Sequence, residues 1–178
     1  MNDLIEKIIL DEEIIKKRIK ELAVELSERF KDKNPLFICI LKGAVVFLSD
    51  LIRALSIPVE IEFMAVSSYG DGTVSSGCLV VKKDLEADIQ NRDIVIVEDI
   101  VDSGYSLQFL LEHLGKRNPK SITTCAFLDK PDAHKCEVSI DYIGFKIGND
   151  FVVGYGLDYA GKFRNLPYLG ILKKEVYQ

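Results

Sequence analysis

The sequence predicts an α/β fold, a parallel twisted sheet flanked by helices, and three observations carry that expectation. Two continuous apolar runs of strand length, PLFICIL and DIVIV, lack the alternation of a half-exposed strand and read as strands buried on both faces. Each is followed by a polar break and then by apolar residues spaced three or four apart, the order of a strand–loop–helix unit. The 178 residues, 48% apolar and 29% charged, suit one ordinary domain that needs no disulfide or metal to hold its core.

Over residues 11–30, Ile15, Ile19, Leu22, Leu26 and Phe30 recur at helical spacing between charges, predicting an amphipathic helix. PLFICIL then gives a strand ending at Lys42, and residues 44–55 a helix. Residues 59–66, VEIEFMAV, alternate well enough for another strand. The stretch that follows, residues 67–77, is rich in glycine and serine and is expected to be a flexible loop. CLVVKKDL is a further strand, and DIVIV at 93–97 is the strongest buried-strand signal, broken by EDIVDSG. YSLQFLLEHLGKR resumes a helix through Leu107, Leu110, Leu111 and Leu114. Residues 121–128 and VSIDYIGF read as strands, and FVVGYGLDY opens as a short strand before becoming a loop. No repeat or linker interrupts this order, so residues 1–178 are expected to form a single domain with ligands beyond the carboxyl ends of its strands.

Charge and rare residues exclude several function classes. With 28 acids against 23 bases the net charge is −5, which speaks against coating nucleic acid or an anionic membrane. Lys42 and Gly43 interrupt the longest apolar stretch, short of the ~18 residues a bilayer requires. MNDLIEKIILDEE has no basic head before an apolar core, so no secretory signal is expected and the cytoplasm is the default. Cys39, Cys78, Cys125 and Cys136 form no close pair and read as reduced, two of them inside strand-like runs. Only His113 and His134 are available to a zinc site or a serine triad, and no G-x-S-x-G occurs. GLDYAGKF approaches a nucleotide loop but ends on Phe163, which has no hydroxyl for magnesium, and it carries Asp158 where phosphates would sit.

The chemistry concentrates at Glu98, Asp99 and Asp102. Three carboxylates this close repel one another unless a cation or sugar hydroxyls compensate. Ser103, Gly104 and Ser106 follow directly and lead into a helix, whose free N–H groups and dipole favour an anion such as phosphate. Carboxylates for hydroxyls beside an N–H nest make a plausible cradle for ribose 5-phosphate. The alternative is that Asp99 and Asp102 merely cap the helix.

VIVEDIVDSGYSL resembles the signature of type I phosphoribosyltransferases: an apolar strand, two acids, two apolar residues, then D-[ST]-G. Resemblance to the hypoxanthine-guanine branch of that family extends through LKG (41–43), SSYG (67–70), LDKP (128–131) and FVVGYGLDYAGKFRNLPYLG (151–170). It implies the type I phosphoribosyltransferase fold, with a small hood made by the N- and C-terminal segments and a flexible loop closing over the site. It further implies purine salvage: magnesium-dependent transfer of 5-phosphoribosyl from phosphoribosyl pyrophosphate to hypoxanthine or guanine, giving IMP or GMP and pyrophosphate.

By the same resemblance Glu98 and Asp99 hold the ribose hydroxyls and, with Asp158, magnesium. Asp102 is the general base that takes the proton from the purine ring nitrogen. Ser103, Gly104, Tyr105 and Ser106 close on the 5-phosphate. Lys42, Gly43, Ser68, Tyr69 and Arg164 meet the pyrophosphate. Lys130 donates to the exocyclic oxygen of the purine and so disfavours adenine, Phe151 stacks on the ring, and Val152 and Asp158 read its edge. The implied partners are phosphoribosyl pyrophosphate, the 6-oxopurine bases and further copies of the chain, as a homodimer or homotetramer. Two kinds of alternative stay open: a phosphoribosyltransferase for xanthine or a pyrimidine, and an RNA-binding regulator on the same fold. Lys130 with the 151–158 block favours a 6-oxopurine, and the acidic balance weighs against the regulator.

Overall fold

A short strand, β1 (Ile5–Leu10), opens the computed structural model, which describes residues 2–68 and 79–177. Helix α1 (Glu12–Arg29) follows because Asp11 caps it, its side chain accepting from the Ile14 N–H at 2.8 Å. The predicted stripe is the buried one: Ile15, Ile19, Leu22 and Leu26 face the core, each contributing about 1.5–3 kcal/mol on burial.

The main sheet is built from β2 (Leu36–Leu41), β3 (Glu60–Ser68), β4 (Leu79–Lys83), β5 (Asp93–Val101), β6 (Ser121–Asp129) and β7 (Tyr142–Lys146). Among the described residues their order is β4-β3-β2-β5-β6-β7, with five strands parallel and the edge strand β4 antiparallel to β3. Helix α2 (Val45–Ala54) links β2 to β3, and α3 (Tyr105–Gly115) links β5 to β6. The apolar runs do not alternate because both faces are covered. Phe37, Cys39, Val95 and Val97 pack with α1 and α2, while Leu36, Ile38, Ile40, Ile94 and Ile96 pack with α3.

A second sheet joins the chain ends: β1, β9 (Leu169–Leu172) and β8 (Val152–Val153), in the order β1-β9-β8. This is the expected hood, closed by α4 (Lys174–Tyr177).

Three boundaries differ from the sequence reading. The predicted loop at 67–77 begins two residues late, because Ser67 and Ser68 pair with Val80 and Leu79 as the end of β3; the rest of that loop lies outside the described residues. EDIV does not break β5, which continues to Val101 on backbone pairing with β6 alone. VSIDYIGF is a strand only from Tyr142. Before it the Asp141 carboxylate binds β6 instead, accepting from the Thr124 N–H at 2.8 Å and the Thr124 hydroxyl at 2.9 Å, and ladder pairing with β6 begins only at Tyr142.

The topology places a crevice at one position. The chain leaves β2 toward β3 on one side and β5 toward β6 on the other, and pairing between β2 and β5 stops at Cys39 and Val97. Beyond that point the two strand ends part. A cleft opens where the strand order reverses, and Glu98 and Asp99 are the next residues on β5.

Candidate active site

Glu98 and Asp99 enter the crevice on a strand held to β6, so the backbone fixes their position. Glu98 is buried, and its proton affinity is pushed well above the ordinary carboxylate range by that burial first and by the Asp99 charge second. Asp99 is raised too, again chiefly by burial, while the nearby Arg164 guanidinium works in the opposite direction. Their field extends behind the sheet: burial, with the charges of Glu98 and Asp99 added, drives the Cys39 thiol up to about 12. Burial thus makes two adjacent carboxyls at the tip of β5 hard to ionise unless a cation compensates them.

Neither Asp99 nor Asp102 caps α3. Its cap is Gly104, in the left-handed region at φ 85°, with no side-chain capping bond. Asp99 Oδ1 instead accepts from the Ile100 N–H at 2.9 Å. The first turn of α3 is left to offer its N–H groups outward.

Two adjoining cavities share Asp99, Ile100 and Asp102. One, of about 280 Å³, is lined by Glu98, Ser103, Gly104 and Ser106 together with Ile40, Val66 and Leu107. The other, of about 230 Å³, is lined by Lys130, Phe151, Val152, Leu157 and Asp158. Ten of the predicted site residues therefore meet in one continuous groove: Glu98, Asp99, Asp102, Ser103, Gly104, Ser106, Lys130, Phe151, Val152 and Asp158. Tyr105 turns its ring to solvent, which leaves only its backbone available to the cradle.

Lys130 follows β6 immediately. It is 9% exposed at its side chain, and its Nζ lies 3.5 Å from Asp102 Oδ2, a carboxylate that is 57% exposed. A cationic donor and an anionic acceptor thus stand side by side in the cavity that Phe151 also lines.

Lys42 and Gly43 close the crevice from β2, following a cis Leu41–Lys42 peptide. Gly43 packs directly against the Asp99 carboxylate, and its carbonyl is packed against Gly156, so no side chain fits between these three segments. Lys42 itself is exposed. Arg164 is not free at the rim: Nη1 donates to Gly156 O at 2.7 Å and Nη2 pairs with Asp158 Oδ1 at 2.6 Å. The other Asp158 oxygen accepts from the Gly161 N–H at 2.7 Å. Ser68 ends β3, and Tyr69 lies outside the described residues.

Among the described residues no cluster of three or more His, Cys, Asp or Glu is arranged to hold a metal. Glu98 and Asp99 nonetheless fit one hard divalent cation, since adjacent buried carboxylates need positive charge and magnesium completes its shell with substrate oxygens. Asp158, engaged on both oxygens, does not join them. The wall residues Ile100 and Leu157 went unnoticed in the sequence because an apolar residue beside an acid carries no signal of its own. Among the described residues no helix is long and apolar enough to cross a membrane.

The model of the phosphoribosyl transferase domain matches residues 6–160. The chain is 49% identical to the hypoxanthine-guanine phosphoribosyltransferase of Bacillus subtilis, over 98% of its own length and 97% of the relative's. It is 50% identical to the enzyme of the same name from Mycobacterium avium, over 98% and 89%. A crystal structure of a hypoxanthine phosphoribosyltransferase from Staphylococcus aureus superposes with a TM-score of 0.96 at 42% identity, covering 100% of this chain and 97% of that one.

Proposed function

The chain belongs to the phosphoribosyl transferase family, in its hypoxanthine-guanine branch, and from that premise we propose how its residues divide the work of purine salvage. The reaction moves 5-phosphoribosyl from phosphoribosyl pyrophosphate to hypoxanthine or guanine and releases pyrophosphate. Residues 1–178 act as one transferase domain.

Ser103, Gly104, Tyr105 and Ser106 take the 5-phosphate on the N–H groups and hydroxyls that open α3. Glu98 and Asp99 hold the ribose hydroxyls and would hold magnesium beside them, while Asp158 faces the edge of the base. When bound, magnesium supplies positive charge to the sugar oxygens and the departing pyrophosphate. Gly43, Lys42 and Arg164 meet that pyrophosphate, and the family resemblance assigns Ser68 and Tyr69 to it as well. Cleavage of the anomeric C–O bond leaves oxocarbenium character on the sugar, whose hydroxyls Glu98 and Asp99 keep oriented as that charge develops.

The observation that carries the base assignment is the Lys130–Asp102 pair. A 6-oxopurine presents its oxygen and its imidazole-side nitrogen next to each other on one edge. Lys130 donates to the oxygen while Asp102 accepts the proton from that nitrogen as the other imidazole nitrogen attacks the anomeric carbon and pyrophosphate departs. Adenine offers an amino donor where the oxygen stands, which leaves Lys130 without an acceptor. The ring stacks on Phe151, beside the Val152 backbone.

A cytoplasmic homodimer or homotetramer belongs to the same reading and rests on the family likeness. The test is incubation with magnesium, phosphoribosyl pyrophosphate and one nucleobase at a time. Nucleotide from hypoxanthine and guanine but not from adenine or uracil is expected; nucleotide from uracil, or from no base, overturns it.

A further inference from the structure

Phe151 lines the base cavity and is 37% exposed, and its ring is also packed by two tyrosines. Tyr177 lies 4.8 Å from it, centroid to centroid, with the planes only 24° apart. Tyr159 meets the same ring edge-on at 5.8 Å and 89°. The C-terminal segment is built to return there. Leu172 N–H donates to Phe151 O at 2.9 Å, Lys173 N–H to Leu4 O at 3.0 Å, and α4 then carries Tyr177 back over the Phe151 ring. The Tyr159 hydroxyl ties the return down by donating to Val176 O at 2.9 Å. Tyr177 stacks on Phe151 without itself lining the base cavity.

We propose that Tyr177 is a positioning residue for the base, holding Phe151 in the plane on which the purine stacks. The inference rests on the reading that Phe151 is the stacking ring. Phe151 precedes the two-residue strand β8 and is partly exposed, so a ring that lost its tyrosine neighbours would turn more freely and offer the base a poorer platform. An aromatic partner stacked on the ring removes that freedom. The C-terminal segment therefore sets affinity for the base and leaves the sugar-phosphate cradle at β5 untouched.

Steady-state kinetics on the full chain, with hypoxanthine and phosphoribosyl pyrophosphate varied separately, test this. Tyr177→Ala and Tyr177→Leu are each expected to raise KM for hypoxanthine about three- to tenfold. KM for phosphoribosyl pyrophosphate stays at its original value. Tyr177→Phe, which keeps the ring, restores the base KM, and Tyr159→Phe raises it by a smaller factor. Tyr177→Leu preserves apolar packing, so the test survives if the alanine variant folds poorly. The inference is overturned if both KM values move together, if neither moves, or if Tyr177→Phe fails to restore. Phe151→Leu separates the two claims: if it leaves the base KM unchanged, the stacking reading itself fails. If it raises that KM while Tyr177→Leu does not, only the role of Tyr177 is lost.

Discussion

Replacing Gly43 by alanine attacks the site at its tightest point. The added methyl overlaps the Asp99 carboxylate, lying 3.1 Å from Asp99 Cβ and far closer to its oxygen. The carboxylate must retreat about 2 Å to regain the 3.4 Å of ordinary contact. It has nowhere easy to go, since Asp99 Oδ1 is held by the Ile100 N–H and Gly156 packs against Gly43 from behind. Overpacking of this kind costs about 1–3 kcal/mol, which lowers Tm by roughly 2–10 °C for a chain this size. The catalytic cost is larger, because displacing a group by about 1 Å can lose 10²-fold in rate. We expect kcat/KM for nucleotide formation to fall by about 10²-fold or more, read in a spectrophotometric assay alongside a thermal melt. Gly115→Ala is the matched control: nothing lies within 4 Å of the new methyl at the end of α3, so a gain of about 0.5–1 kcal/mol and unchanged turnover are expected. A Gly43→Ala enzyme within about threefold of the original activity would refute the claim that Asp99 is positioned by this contact.

Three further outcomes follow from the same geometry. Asp102→Asn should lower turnover by roughly 10²-fold or more while sparing binding of the sugar phosphate; unchanged kcat removes Asp102 as the base. Arg164→Ala should raise KM for phosphoribosyl pyrophosphate, and for pyrophosphate in the reverse direction, by roughly tenfold or more, and an equal loss of nucleotide monophosphate affinity contradicts the assignment. Away from the site, the Ser121 hydroxyl donates to Asp93 at 2.6 Å and, with Lys120, holds that carboxyl below its ordinary 3.8. A depressed carboxyl stabilises the fold above its unfolded pKa, and the contribution disappears as pH falls through the folded value. Ser121→Ala should therefore cost about 1 kcal/mol at pH 7, and the gap between the melts should narrow in acid; a gap that widens as pH falls overturns the sign.

The sheet core was legible because burial on both faces leaves an unmistakable trace: Leu36 to Leu41 and Asp93 to Val97 are apolar on every side chain that packs. Most of the groove was legible too, since Glu98, Asp99, Asp102 and Ser103 sit in one short segment. The hood strands β1 and β9 show no such pattern in IEKIIL or LGIL, and their pairing joins residues more than 150 positions apart in the chain, which residue spacing cannot express. A separation of 105 positions likewise hid the bond from the Tyr155 hydroxyl to Asp50 at 2.7 Å, which holds the turn at Gly154 and Gly156 against α2. Arg164 read as a free fork for phosphate; its tie to Asp158 depends on a loop that folds back with Tyr155, Ala160 and Phe163 all at positive φ. Local chemistry was visible in the sequence, whereas contacts made by long-range closure were not.

The most direct measurement is a crystal structure with inosine monophosphate bound. The account predicts the 5-phosphate on the N–H groups of Ser103 to Ser106, the ribose hydroxyls on Glu98 and Asp99, and the base between Lys130 and Phe151. A nucleotide bound anywhere else, with the tip of β5 bare, would contradict it.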